Sequence, residues 1–188
     1  MRKISAGLFM SLDGVVEGPG PGDTFERKGW TMPYYSDEIM QVVGESFAKN
    51  DSMLLGRVTY QTFAATFAPQ SGGMADVMNN THKYVVSNTL KRAEWNNSEL
   101  IMGNNIAEQI AALKQQPGKD IGISGSGTLV QFLLEHGLLD ELMLLVYPVV
   151  IGTGKRMFKE GFDTTMKLAK SQSFSTGVVH LVYLPTVK

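Results

Sequence analysis

The sequence predicts an α/β fold: a mostly parallel central sheet closed by an antiparallel C-terminal hairpin. Three observations predict it. Short apolar runs alternate with segments of helical periodicity. Most of those runs end in a glycine- or serine-bearing turn that leads into a helix. The last two extended segments, 166–174 and 178–184, are separated only by Ser175 to Gly177, the spacing of a hairpin.

Size and composition set the frame. The chain has 188 residues, 43% hydrophobic and 19% charged, an ordinary balance for one globular domain spanning 1–188. A net charge of −1 gives no global field for nucleic acid or an acidic membrane surface. Cysteine is absent, which excludes disulfides and thiolate metal sites and fits a cytoplasmic protein. The apolar part of MRKISAGLFMSLDG is too short for a signal peptide or a membrane span. His82, His136 and His180 are far apart and carry no metal-binding spacing, so no metal is expected.

The elements follow in order. Ile4 to Met10 is a buried strand. Ser11 to Met32 holds five glycines and two prolines and reads as a long functional loop. Ser36 caps a helix running to about Ala48, with Ile39, Val43 and Phe47 on one face and Asp37 and Glu38 in the first turn. Ser52 to Leu55 is a strand, and Gly56-Arg57 turns into a helix from Val58 to about Ala65. Gln70 to Gly73 is loop.

Tyr84 to Ser87 and Leu100 to Met102 are the next strands. Asn105 and Glu108 have capping-box spacing ahead of a helix faced by Ile106, Ile110 and Leu113. Pro117-Gly118 ends it. Ile121 to Ser124 is a strand, and Leu129, Phe132 and Leu133 bury the helix that follows, which Gly137 stops. Leu142 to Val150 is a long apolar strand, fit for a core or for a dimer interface.

The stretch IGISGSGTLVQFLL carries the chemistry. A strand, a glycine turn and a helix N-terminus in that order suit an anion, because backbone N–H groups and the helix dipole point outward. A plain βα turn uses the same glycines. The dinucleotide fingerprint is incomplete, with Val130 where the third glycine would stand, and no P-loop lysine follows. Yet Asp13-Gly14, Gly56-Arg57, Ser87-Asn88-Thr89, Gly125 to Thr128 and Gly152 to Gly154 all fall at strand ends. Parallel sheets gather ligands at that rim.

These segments resemble the dihydrofolate reductase superfamily, and more closely its branch containing the reductase domain of bacterial riboflavin biosynthesis. The matching stretches are ISAGLFMSLDGVV, MLLGRVTYQTF, KYVVSNT, IGISGSGTLVQFLL and DELMLLVYPVVIGTGKRMF. The resemblance implies a dihydrofolate reductase-like three-layer sandwich and an NADPH cofactor. It implies that Gly56, Arg57 and Thr59 contact cofactor phosphates, Arg57 nearest the 2′-phosphate, although an arginine there also serves as a surface residue on its own helix. Ser87, Asn88 and Thr89 would surround the adenosine ribose phosphate, and Gly125, Ser126, Gly127, Thr128 and Leu129 would hold the pyrophosphate. Val16 would approach the nicotinamide, with Gly154 nearby.

A carboxylate that orients the acceptor ring is expected among Asp13, Asp37 and Glu38, with Trp30 and Tyr147 as substrate contacts. Each acid has a plainer reading: an Asp-Gly turn for Asp13, helix N-terminal acids for the other two. This chain departs from the folate pattern at the pyrophosphate turn, where Gly125-Ser126 replaces a glycine pair. No deaminase zinc motif is present. The expectation is a stand-alone, homodimeric NADPH-dependent reductase of a pterin-, pyrimidine- or flavin-like small molecule. The alternative is a nucleotide-binding module without turnover.

Overall fold

The computed structural model describes residues 1–186, so the last two positions of the 1–188 span lie outside the described residues. Its eight strands are β1 (Ile4–Ser11), β2 (Asn50–Gly56), β3 (His82–Val86), β4 (Ser98–Ile101), β5 (Asp120–Ser124), β6 (Glu141–Tyr147), β7 (Met166–Ser173) and β8 (Val179–Pro185). Five α-helices join them: α1 (Asp37–Ala48), α2 (Arg57–Phe67), α3 (Gly73–Asn80), α4 (Ile106–Gln115) and α5 (Gly127–Glu135). A short 3-10 turn, Met32–Tyr34, precedes α1.

The strands form one sheet in the order β4-β3-β2-β5-β1-β6-β8-β7. From β4 to β6 every neighbouring pair is parallel. β8 runs antiparallel to both β6 and β7, which gives the expected hairpin.

Alternation along the strands decides the layers. On β2, Leu54 joins a cluster with Ile110, Leu129 and Leu133 of α4 and α5. Its neighbours Met53 and Leu55 join Tyr60 and Met78 of α2 and α3. On β6, Leu144 belongs to the α4–α5 side, whereas Leu145 packs with Ile39 of α1. Two helices therefore cover one face and three cover the other, a three-layer sandwich. Full burial of each such Leu or Ile contributes roughly 1.5–3 kcal/mol.

Local signals account for most boundaries. The Ser36 side chain accepts from Ile39 N at 3.3 Å and caps α1. Asn105 starts α4 without a capping bond of its own; its Oδ1 accepts from Gln109 Nε2 instead. Helix α3 was not expected from the sequence. It starts at two glycines of positive φ, Gly72 and Gly73, and the Asp76 carboxylate accepts the Gly72 N–H at 3.0 Å. Its apolar face, Ala75 and Met78, is too short to stand out as a period.

The apolar run 142–150 also needs correction. The strand stops at Tyr147, before Pro148, and lies between β1 and β8 with both faces covered. Leu142, Leu144, Leu145 and Tyr147 of the strand are core, whereas Val150 beyond it is exposed. His180, on β8, is 3% exposed, and neither ring nitrogen has a hydrogen-bond partner among the described residues. Burial, then the charges of Lys170 and Lys49, hold its pKa below the usual histidine value.

Candidate functional site

All parallel strands point their carboxyl ends to one rim, and the turns after β1, β2, β5 and β6 meet there. Two hydrogen bonds join the turn after β2 to the turn after β5. Gly56 N donates to Ser126 Oγ at 3.0 Å, and Ser126 N donates to Thr59 Oγ1 at 3.1 Å. Ser126 sits in the left-handed region at φ 56°, rare for a residue with a side chain. Gly125 before it has φ 65°, and a Cβ there would lie 3.3 Å from Thr59 Cγ2. A glycine is thus required where the two turns close on each other.

The turn after β1 meets the segment after β6. Val16 N donates to Lys155 O at 2.9 Å and Met157 N to Gly14 O at 2.8 Å. Gln131 of α5, itself buried, donates to Met157 O at 2.6 Å and ties that segment to the third turn.

Between these turns lies a cleft of about 550 Å³. Its floor is Gly56, Ser126 and Gly127; Val58, Val86, Ile106, Leu129 and Phe132 form an apolar wall. Val16, Glu17, Asp23 and Thr24 reach it from the loop after β1, and Lys155 and Arg156 from the segment after β6. Gly127 makes room for Val16: a Cβ there would stand 3.1 Å from Val16 Cγ2 and 3.9 Å from Met157 Sδ.

Charge in the cleft is unevenly compensated. Lys155 Nζ is 3.3 Å from Glu17, whose other oxygen accepts the Lys155 backbone N–H at 3.0 Å. Arg156 Nε donates to the Asp13 carbonyl at 2.9 Å. Arg57 donates only to Gln61 of its own helix, at 3.0 Å, and has no carboxylate partner among the described residues. It is an exposed, uncompensated guanidinium at the edge of a cleft, next to a helix N-terminus. That arrangement favours an anion.

Of the residues expected from the sequence, the cleft brings together Val16, Gly56, Arg57, Thr59, Ser126, Gly127, Thr128 and Leu129. The others lie outside its lining. Asp13 turns its carboxylate away, onto Ile151 N (3.0 Å), Gly152 N (2.8 Å) and the Ser11 hydroxyl (2.7 Å). The Ser11 bond and these amides hold its pKa at about 2. It is therefore a fixed anion that staples two loops.

Asp37 and Glu38 are exposed in the first turn of α1, where acids complement the dipole. Ser87 accepts from Thr89 N and Leu90 N, and Asn88 exchanges two bonds with Gly103, so both close the turn after β3. Gly125 lies behind the floor. Gly154, at φ 104°, makes room for Phe25, whose Cζ would be 2.9 Å from an added Cβ.

Trp30 and Tyr147 are both buried. Trp30 packs edge-on against Tyr147 with ring centroids 5.5 Å apart, and Phe9 and Tyr34 complete the cluster. Burial pushes the Tyr147 hydroxyl up to about 12.

Sequence reasoning missed Glu17, Asp23, Lys155 and Arg156. The signal for the last two was the basic pair right after Gly152-Thr153-Gly154, a turn already placed at a strand end.

Residues 2–180 match the family model described as the RibD C-terminal domain. The chain belongs to that family. It is 29% identical over 189 residues to the uncharacterised protein YyaP of Bacillus subtilis (strain 168), covering 97% of this chain and 94% of YyaP. A crystal structure of a Shewanella sp. PV-4 protein assigned to riboflavin biosynthesis superposes with a TM-score of 0.78 at 18% identity, covering 98% of this chain and 99% of that one. Dihydrofolate reductase from Enterococcus faecalis, solved with NADP(H), gives a TM-score of 0.64 at 12% identity over 98% and 97%. The fold is the dihydrofolate reductase-like one, and RibD_C chains share it.

Proposed function

We propose that this RibD_C protein is an NADPH-dependent reductase that transfers a hydride to a pterin-, pyrimidine- or flavin-like ring. The observation that carries the reading is the cleft in which an uncompensated Arg57 flanks a floor of Gly56, Ser126 and Gly127. The residues present fit that cofactor. The hydroxyls of Thr59, Ser126 and Thr128 line the cleft, and the apolar wall suits a base. Arg57 would hold the 2′-phosphate, Ser126 to Leu129 the pyrophosphate, and Val16 would face the nicotinamide. When bound, the cofactor supplies the hydride.

The chain's own residues do the rest. Val16, Leu129 and Phe132 exclude water from the reacting edge. Glu17 and Asp23 are the carboxylates that reach the cleft. Glu17 is held by Lys155, whereas Asp23 accepts only the Phe25 N–H, at 2.9 Å, and has no ion-pair partner among the described residues. Asp23 takes the orienting role first expected of Asp13, Asp37 or Glu38. A cytoplasmic homodimer acting on a small molecule, with no nucleic acid or membrane partner, belongs to the same proposal. Among the described residues no helix is long and apolar enough to cross a membrane.

NADPH oxidation with a panel of pterins and ribosylaminopyrimidines tests the activity. Turnover lost in Asp23→Asn supports the assignment; full turnover in that variant removes it. Sedimentation at micromolar concentration showing monomer alone contradicts the dimer. One observation favours a second reading, a nucleotide-binding module without turnover: none of the three acids first expected lines the cleft. NADPH binding with no oxidation across the panel would support it.

A further inference from the structure

The C-terminal hairpin carries a buried imidazole that the cleft does not use. His180 lies opposite Leu145 of β6 and Gln172 of β7, so it shares their face of the sheet. On that face Leu145 belongs to the cluster of Val15, Trp30, Ile151, Phe174 and Val178. Both ring nitrogens of His180 are buried and lack a hydrogen-bond partner among the described residues. A neutral imidazole leaves one donor and one acceptor unmet there; a protonated one leaves two donors and a charge.

The surroundings make the charged form worse. Lys170 faces the ring from β7 and Lys49 from the end of α1, while β6 presents Leu145. No carboxylate pairs with it among the described residues. Burial first, and then the two lysines, oppose a proton on the ring. A protonated His180 is accommodated when the hairpin lifts and the ring meets water.

The same cluster supports the outer wall of the cleft. Val15 precedes Val16 and bridges Arg156, and Trp30 Nε1 donates to Glu17 O at 2.9 Å. Arg27 donates to Ile151 O at 2.7 Å. Phe174 and Val178, which close the hairpin turn through a 2.9 Å backbone bond, pack in that cluster. Lifting the hairpin withdraws side chains on which both loops rest.

We propose that His180 is an acid-sensitive joint. On taking a proton from solvent it releases the C-terminal hairpin, and the loops that bring Glu17, Asp23, Lys155 and Arg156 to the cleft loosen with it. As regulation of the nucleotide site this rests on the NADPH reading; the joint itself does not.

Native-state hydrogen exchange at pH 7.5, 6.5 and 5.5, corrected for intrinsic rates, tests it in wild type, His180→Gln and His180→Leu. The leucine keeps an apolar side chain in place should the glutamine variant not fold. The exposed ring has the ordinary value of 6.5, so acid favours the open form by about tenfold between pH 7.5 and 5.5. Protection of the β8 amides should fall about tenfold in wild type and stay level in the variants. The amides of Val16 and Met157, which bond between the two loops, should fall with them. Amides of β5 should stay more protected throughout.

An equal fall in the variants, a fall confined to β8, or β5 amides that open with the hairpin overturns the joint. NADPH in excess should restore protection of the loop amides. A wild-type pH response that NADPH leaves unchanged overturns the cofactor reading and leaves the joint standing.

Discussion

Replacing Asp13 by asparagine separates a structural anion from a catalytic one. The carboxylate accepts from Ile151 N, Gly152 N and the Ser11 hydroxyl, and the Asp13 carbonyl accepts from Arg156. Asparagine keeps one oxygen. Its amide NH2 must then face one of the two backbone N–H groups, donor against donor. Losing one charge-assisted bond and stranding one amide costs roughly 2–4 kcal/mol. For a chain of this size that lowers the melting temperature by about 5–12 °C.

The pH dependence has a definite sign. The folded pKa of Asp13, about 2, lies below the ordinary 3.8. Its contribution is complete above pH 3.8 and is lost as pH falls toward 2. Urea unfolding at pH 7 and pH 3 should therefore show the gap between wild type and Asp13→Asn narrowing in acid. Equal stability at pH 7, or a gap independent of pH, would refute the staple. An unchanged melting temperature with lost turnover would return Asp13 to the chemistry.

Two further outcomes follow from buried features elsewhere. Lys83 is fully buried, donates to the carbonyls of Asn79, Thr81 and Asn96, and lies 4.3 Å from the Trp95 ring centroid. Burial lowers its pKa from 10.5 to about 8, so the fold favours its neutral form, and stability should rise as pH goes from 8 to 10.5. Urea midpoints across that range check it: the rise should vanish in Lys83→Met, and a rise retained in that variant assigns it to another group. Gly154→Ala puts a Cβ at φ 104° within 2.9 Å of Phe25, so it should destabilise by roughly 2–4 kcal/mol by thermal or urea unfolding. A loss under about 0.5 kcal/mol would mean that the loop after β1 yields easily there.

The fold was legible because its signals are local. Apolar runs set β1, β5 and β6, Ser36 set the start of α1, and Gly125 to Thr128 set the β5–α5 turn. Helix α3 was not, since its two-glycine start imitates a loop and its apolar face is one turn long. Half of the candidate cleft was legible for the same reason: Gly56, Arg57, Ser126 and Gly127 sit where strands hand over to helices.

The remainder depends on long-range pairing that no spacing reveals. Lys155 and Arg156 reach the cleft because Val15 bridges Arg156 and Val16 bonds Lys155. Asp13 looks like a site acid until the amides of Ile151 and Gly152 are seen to claim it. Trp30 and Tyr147 look like ligand contacts, yet their rings pack edge-on in the core and Trp30 Nε1 donates to Glu17 O.

In the proposed function, the turns after β1, β2, β5 and β6 build one receptor for a 2′-phosphorylated dinucleotide. Parallel titrations of NADPH and NADH into wild type and Arg57→Ala test it most directly. NADPH should bind wild type saturably and about 5- to 30-fold more weakly in Arg57→Ala, through loss of a charged but exposed contact, with NADH nearly unaffected. Equal loss for both nucleotides, or no saturable binding of either to folded wild type, would contradict it.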